Sequence, residues 1–432
     1  MKFNRFLLAL IVPAMMIGCQ KPDTPQEDPT PEPPVEKPDT PVTPEPEIQL
    51  APEIKSGDCV LAPNKFAEEF VTKVTYPDRD YSYSVVLDYH GGYNGQLAEG
   101  ESVNGDKSSE YTIRWEANEA EGKLQLELSE QETGWSMTKE ITAGSNYVDI
   151  NNLTPNVHYT YKVSSIEKGT VMTEGNFTTY GHIRQVFFKT RVRNGRDMGG
   201  WLTYDGKMVK YHKIYRTGRW ESSTMANSGK KAIIAEGIKA QLDLRNTSDV
   251  LDAPAIDGMD FCAPLIETGG DSMLKAEKGD KTRQCMQFII DCVKADKPVV
   301  YHCSLGRDRT GTLGMIILGL LDVVEGDISK EYEVTYFSPR GWSIASSETY
   351  KTFQNLRTTW AYKPAAEYIW AGKYPNGTYE FNDDKESADY TPFSVRIEKY
   401  LLDIGISQAD IDTFREIMLT EPYADLTPAT AE

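Results

Sequence analysis

Ten residues, His302-Cys303-Ser304-Leu305-Gly306-Arg307-Asp308-Arg309-Thr310-Gly311, restrict this chain more than any other stretch. Ahead of them, Pro298-Val299-Val300-Tyr301 is a short apolar, β-branched run of the kind a buried strand carries. Behind them, Thr312 to Leu321 is apolar on nearly every side and reads as a buried helix. A strand feeding a tight loop that opens a helix gathers several backbone N–H groups at one point, together with the positive end of the helix dipole. Such a point suits a phosphate-sized dianion.

The residue types in the loop fit chemistry on that anion. A free thiol titrates near about 8.5, and beside cations at a helix N-terminus it falls to roughly 3.5–7.5. Cys303 has that setting, with Arg307 and Arg309 downstream and His302 before it. Its thiolate can attack phosphorus and form a phosphocysteine. Arg309 offers a planar fork for two phosphate oxygens, which a lysine cannot copy. Gly306 lets the loop approach the anion, Gly311 permits close helix packing, and Thr310 can hydrogen-bond the sulfur as it leaves. Backbone amides of Ser304, Leu305, Gly306, Arg307, Asp308 and Arg309 would form the cradle. Rhodanese-like sulfur transfer uses a comparable cradle; His302 and the closing Arg309-Thr310-Gly311 favour a phosphatase.

With these residues in view, the chain resembles the cysteine-dependent protein tyrosine phosphatases. It is similar to their secreted bacterial tyrosine/lipid phosphatase branch, whose loop reads His-Cys-x-x-Gly-Lys-Asp-Arg-Thr-Gly. Asn194-Gly195-Arg196-Asp197-Met198-Gly199-Gly200, Ile214-Tyr215-Arg216-Thr217-Gly218, Leu242-Asp243-Leu244-Arg245 and Tyr400 to Ser407 resemble further segments of that branch, in order, over about residues 185–420. Arg307 stands where the branch has lysine. The resemblance implies Asp308 as a catalytic residue, either the general acid or a brace for the loop. Asp243 is a second candidate acid, because strand-end carboxylates face the ligand crevice of open α/β sheets; its other role is a salt bridge with Arg245. Asp271, in a polar stretch upstream of the cysteine, is a third.

The 432 residues exceed one small core and imply two domains and a tail. Lys2 and Arg5 precede an apolar run from Phe6 to Met16 that is too short for a stable span, and Met16-Ile17-Gly18-Cys19 resembles a bacterial lipoprotein signal. Residues 1–19 are therefore expected to be a signal with Cys19 lipidated, making an exported lipoprotein held on a membrane, periplasmic or at the cell surface. Residues 20–50, rich in Pro, Glu, Asp and Thr, cannot bury enough apolar surface to fold and read as a stalk. The net charge of −19 argues against nucleic acid as a partner.

Residues 51–180 alternate polar and apolar residues at Tyr111–Trp115, Lys123–Leu128 and Tyr159–Val163, as half-buried strands do. Leu153 to Tyr159 resembles a fibronectin type III corner, with Trp115 as the core tryptophan, so a β-sandwich spacer domain is expected there. Residues 183–425 are expected to form an α/β tyrosine phosphatase domain, a central, mostly parallel sheet flanked by helices. Lys239–Leu244 and Val299–Tyr301 read as strands. Lys281–Lys294, Ile328–Phe337, Ser346–Thr359, Phe393–Asp403 and Gln408–Leu419 read as helices, and Trp360–Thr391 as a surface loop or a lid over the substrate entrance. Cys285 and Cys292 lie about 10.5 Å apart along a helix, too far for a disulfide, and read as core thiols.

The expected function is a phosphomonoester hydrolase working through a phosphocysteine, without metal or cofactor, and foremost a protein-tyrosine phosphatase. A phosphoinositide or inositol-phosphate phosphatase is the second expectation; it draws on Arg307 and needs cations such as Lys207, Lys210, Lys213 or Arg219 at the mouth. An inactive surface protein that binds phospho-ligands is the third. Oligomeric state is left open.

Overall fold

The computed structural model describes residues 59–61, 65–74, 76, 110–188, 192–220, 225, 227–335 and 362–423. Cys19, the stalk and the expected helix Ser346–Thr359 lie outside these residues. The chain enters at β1 (Cys59–Val60) and α1 (Lys65–Lys73), then runs through β2 (Tyr111–Arg114), β3 (Leu124–Glu130), β4 (Ser136–Ile141), β5 (Tyr147–Ile150), β6 (His158–Ser165) and β7 (Val171–Tyr180). Five of these strands form one sheet in the order β1-β7-β6-β3-β4, while β2 and β5 pair as a separate antiparallel ribbon. In β3 the leucines 124, 126 and 128 all face inward between polar neighbours, so one face of the strand is committed to a core. That core gathers Ile113, Trp115, Val148, Ile150, Tyr159, Val163 and Phe177 from both groups of strands. The Tyr159 hydroxyl accepts a hydrogen bond from the Thr154 N–H at 2.8 Å.

Helix α1 lies inside the expected spacer segment, yet Ala67, Phe70, Val71, Val74 and Tyr76 are buried in the larger hydrophobic core that follows. Its apolar residues recur at helical spacing, which gives one stripe that faces that core.

The second part begins with β8 (Arg196–Asp197), β9 (Met208–Val209), β10 (Ile214–Thr217), α2 (Asn227–Ala235), β11 (Ala240–Asp243) and β12 (Asp260–Cys262). It continues with α3 (Asp271–Lys275), α4 (Asp280–Lys294), β13 (Val299–His302), α5 (Asp308–Leu320), α6 (Glu325–Val334), α7 (Tyr362–Ala371), α8 (Phe393–Asp403), α9 (Gln408–Met418) and β14 (Leu419–Thr420). The sheet runs β12-β11-β13-β10-β8, parallel throughout except for the edge strand β8, so it is mixed and flanked by helices. Strands β10, β11 and β13 are buried on both faces, as parallel strands covered by helices must be. Every residue of α5 from Thr310 to Leu320 is buried, which explains its unbroken apolar sequence.

Among the described residues, Cys262, Cys285, Cys292 and Cys303 are free; Cys285 and Cys292 sit in the core on α4. The expected lid over Trp360–Thr391 is corrected in part. Residues 362–371 are helix α7, with Tyr362, Ala365, Ala366, Ile369 and Trp370 buried, and Arg396 lies 3.9 Å from the Trp370 ring centroid. The apolar stripe on α7 ties that part of the segment to the core.

Glu130, at the end of β3, meets His212 across the junction of the two parts at 2.8 Å. Thr154 and Tyr159 also hydrogen-bond Glu130, and Trp135 stacks on the His212 ring with centroids 5.2 Å apart. Burial alone would raise the Glu130 carboxyl, but His212, Arg184 and Thr133 hold it down to about 2.

Candidate active site

Strand registers bring Thr217, His302 and Asp243 to the same edge of the sheet, its carboxyl end. Open α/β sheets place ligands at that end. Residues 303–307 leave from there and turn directly into α5, whose first helical residue is Asp308. Gly306 makes the turn with φ +68°, and a Cβ there would stand 2.5 Å from the Thr217 carbonyl oxygen, so only glycine fits the path. The Leu305 and Gly306 carbonyls point outward to the Asn194 amide at 3.4 and 2.9 Å, and Arg216 donates to the Gly306 carbonyl at 2.7 Å. In a trans peptide the N–H opposes the C=O, so fixing these carbonyls turns the following N–H groups to the other side.

Cys303 is buried, with 3% of its surface exposed. Burial pushes its thiol up, but the Arg309 charge, the Thr310 hydroxyl and the Thr310 amide outweigh it, and the thiol titrates below its ordinary value. Apart from the sulfur, the Thr310 hydroxyl has no hydrogen-bond partner among the described residues. Arg309 is anchored through Nη1 alone, which donates to the carbonyls of Leu244 at 3.2 Å and Ile266 at 2.8 Å. Its other N–H groups carry no partner among the described residues, which leaves that part of the guanidinium for an anion.

His302 is fully buried and its pKa is lowered to about 4 by burial, only partly countered by Asp243, so it is neutral near pH 7. Gln241 spends its oxygen on the Ala255 N–H at 2.7 Å, which turns its NH2 group to His302 Nε2 at 2.9 Å. The His302 proton then lies on Nδ1, facing the Cys303 carbonyl at 3.3 Å. His302 therefore shapes the strand end and leaves the positive charge at the thiol to Arg309.

The three candidate acids sit in different surroundings. Asp243 is sealed, accepting from the Arg245 backbone and guanidinium and from the Leu251 N–H. Burial raises its pKa, but His302 and Arg245 bring it below the ordinary value. Its side chain is fully buried, which closes it to a leaving group entering from solvent. Asp308 is more open than Asp243, with 30% of its side chain exposed, and its two oxygens are gripped by Arg307 at 2.9 Å each. The Tyr332 hydroxyl lies 3.4 Å from Asp308 Oδ1. Asp271 pairs with Lys275 at 2.7 Å on α3, while Gly269 and Gly270 just before it pack on the first turns of α5.

The cations named from the sequence do not converge. Lys213 precedes β10 at the opposite end of the sheet and pairs with Asp296 at 2.6 Å. Lys207 and Lys210 flank the β9–β14 ribbon. Arg219 alone reaches the loop: its N–H donates to the Ser304 carbonyl at 3.1 Å, and its side chain donates to Asp249 at 2.9 Å. Asp249 also accepts from the Ser304 hydroxyl at 2.8 Å. Asp249 carries no signal in the sequence, and Asn194 opens a motif there without a contact to the loop being legible. Arg216 carried a usable signal, because a charged residue inside the apolar strand Ile214–Thr217 demands a buried partner.

A family model described as tyrosine phosphatase family matches residues 189–420. A Cupriavidus necator protein, named as a tyrosine-protein phosphatase, is 23% identical over 164 residues, covering 33% of this chain and 59% of that protein. The chain thus spans somewhat more than half the length of that relative. The crystal structure of P. aeruginosa TpbA aligns over 36% of this chain and 89% of that chain, with 11% identity and a TM-score of 0.24.

Proposed function

Because this chain belongs to the tyrosine phosphatase family, we propose that it hydrolyses phosphomonoesters through a phosphocysteine on Cys303, with phosphotyrosine as its substrate. The single observation that carries this is a buried thiol titrating below its ordinary value between Arg309 and Thr310 at the start of a helix. The Cys303 thiolate attacks phosphorus as the ester P–O bond breaks, and the leaving oxygen takes a proton from Asp308. Water then attacks the phosphocysteine, giving its proton to Asp308 while the S–P bond breaks and the thiolate returns. Arg309 holds two phosphate oxygens, the amides from Ser304 to Arg309 receive the developing charge, and Thr310 stabilises the departing thiolate.

Support for phosphotyrosine over a phosphoinositide or inositol phosphate comes from the cations. Arg307 is engaged with Asp308, and of the four other cations considered only Arg219 stands at the loop. We extend the proposal to an exported lipoprotein tethered through Cys19, with residues 110–180 a fibronectin type III-like spacer; the Tyr159 hydroxyl on the Thr154 N–H supports the latter.

The test compares initial rates on a phosphotyrosyl peptide, a phosphoseryl peptide, a phosphoinositide and inositol hexakisphosphate, for the natural protein and for Cys303→Ser. The phosphotyrosyl peptide should be fastest, and Cys303→Ser should lose turnover while retaining phosphate binding. Undiminished hydrolysis by Cys303→Ser would remove the covalent route, and no hydrolysis by the natural protein would leave a phospho-ligand binder.

A further inference from the structure

Beneath the Cys303 loop lies a buried ionic cluster that the chemistry above does not use. Glu331 on α6 is 2% exposed, and its carboxylate accepts from Arg196 Nε at 2.7 Å and from Arg216 Nη1 at 2.5 Å. Its backbone carbonyl takes a third bond, from Arg196 Nη2 at 2.8 Å. Both arginines are themselves buried, at 3% and 0% exposed. Their far ends converge on one peptide group. Arg216 donates to the Gly306 carbonyl at 2.7 Å. Arg196 donates to the Asn194 side-chain oxygen, whose NH2 group donates to the same Gly306 carbonyl at 2.9 Å and to Leu305. Thr335 closes the cluster, its hydroxyl accepting from Arg196 at 3.0 Å and from Asn194 at 3.2 Å.

We propose that Glu331 is a positioning residue for the Cys303 loop: by holding Arg196 and Arg216 side by side it fixes the Gly306 and Leu305 carbonyls outward and so aims the N–H groups of Arg307 and Gly306 at the bound phosphate. This rests on the Cys303 loop being the reaction centre proposed above. Two guanidiniums at close quarters repel, and the one carboxylate between them is what lets both be buried at once. One net positive charge stays behind the loop, where it adds to the attraction for a dianion. Glu331 touches neither substrate nor sulfur; it acts through the two arginines.

Glu331→Gln keeps the volume but cannot accept from both arginines, because one end of the amide is a donor. Two readings are taken on the full-length protein: the inhibition constant for inorganic phosphate against p-nitrophenyl phosphate, and the pH profile of Cys303 alkylation by iodoacetate, read by mass spectrometry. Losing one charged hydrogen bond should weaken phosphate by about tenfold or more, raise KM before kcat, and shift the alkylation profile to higher pH. Glu331→Asp, which keeps the charge, should recover part of each. A folded Glu331→Gln protein with both readings unchanged overturns the proposal.

Should Glu331→Gln lose its cooperative melt, Asn194→Ala removes one amide from the loop carbonyls while leaving both arginines on Glu331. The same two shifts are expected of it, and their absence there overturns the proposal equally. The alkylation profile needs no turnover. An inactive natural protein whose profile still moves in Glu331→Gln would therefore defeat the enzymatic assignment and leave the positioning role standing.

Discussion

A carboxylate beside the nucleophile either gives a proton to the leaving group or braces the loop, and the leaving group itself separates the two. Asp308→Asn should cut kcat on phenyl phosphate by about 10²-fold or more, since general acid catalysis contributes on that scale. With p-nitrophenyl phosphate, whose leaving oxygen needs little protonation, the loss should be far smaller. Equal losses on both esters would assign Asp308 to bracing through Arg307. At this scale the sequence was legible where chain connectivity forces residues together: Cys303 and Arg309 share one turn of backbone, so their spacing alone carries the geometry. Asp249 and Glu331 reach the same loop from distant segments, and nothing in the local pattern around them points to one place. The charge of Arg307 is legible in the sequence, whereas its pairing with the adjacent Asp308 is a matter of side-chain geometry.

The loop between β13 and α5 depends on one backbone angle. Gly306→Ala asks an L-residue to hold φ +68° with its Cβ 2.5 Å from the Thr217 carbonyl. That costs at least about 1 kcal/mol from conformation alone, which lowers the thermal midpoint by about 2–4 °C for a domain of this size. The displaced peptide should also weaken phosphate binding, measured by titration. A variant with unaltered melting and affinity would mean that the loop follows another path. Elements with unmixed patterns were the readable ones. The run Val299–Tyr301 lies in β13, the continuous apolar stretch lies in α5, and the stripe of Phe393–Asp403 is α8. The segment from Trp360 was harder, because tyrosine, tryptophan and alanine suit a surface lid or a packed helix equally well in isolation. Packing against Arg396 decides it.

Across the whole molecule, the two parts meet through a carboxylate whose charge depends on folding. Glu130 titrates at about 2 when folded, against an ordinary value of 4.5. Its stabilisation is therefore complete above about pH 4.5 and disappears as the pH falls toward 2. The shift corresponds to on the order of 3 kcal/mol. Glu130→Gln should be less stable at neutral pH and should lose less stability between pH 5 and 2, followed as urea midpoints across that range. Parallel curves for the two proteins would mean that Glu130 is not held ionised. The sheet of the first part was legible from its alternation, whereas α1 was not, because its stripe completes a core supplied by residues more than a hundred positions later. That placement has a mechanical side. The chain pairs β1 with the end of β7, then lays α1 on α6, the helix that carries Glu331, with Lys330 reaching the Val71 carbonyl at 3.0 Å. A pull applied ahead of Cys59 would load that short strand pair in shear and draw α1 against α6, so the tension would reach the helix that carries Glu331.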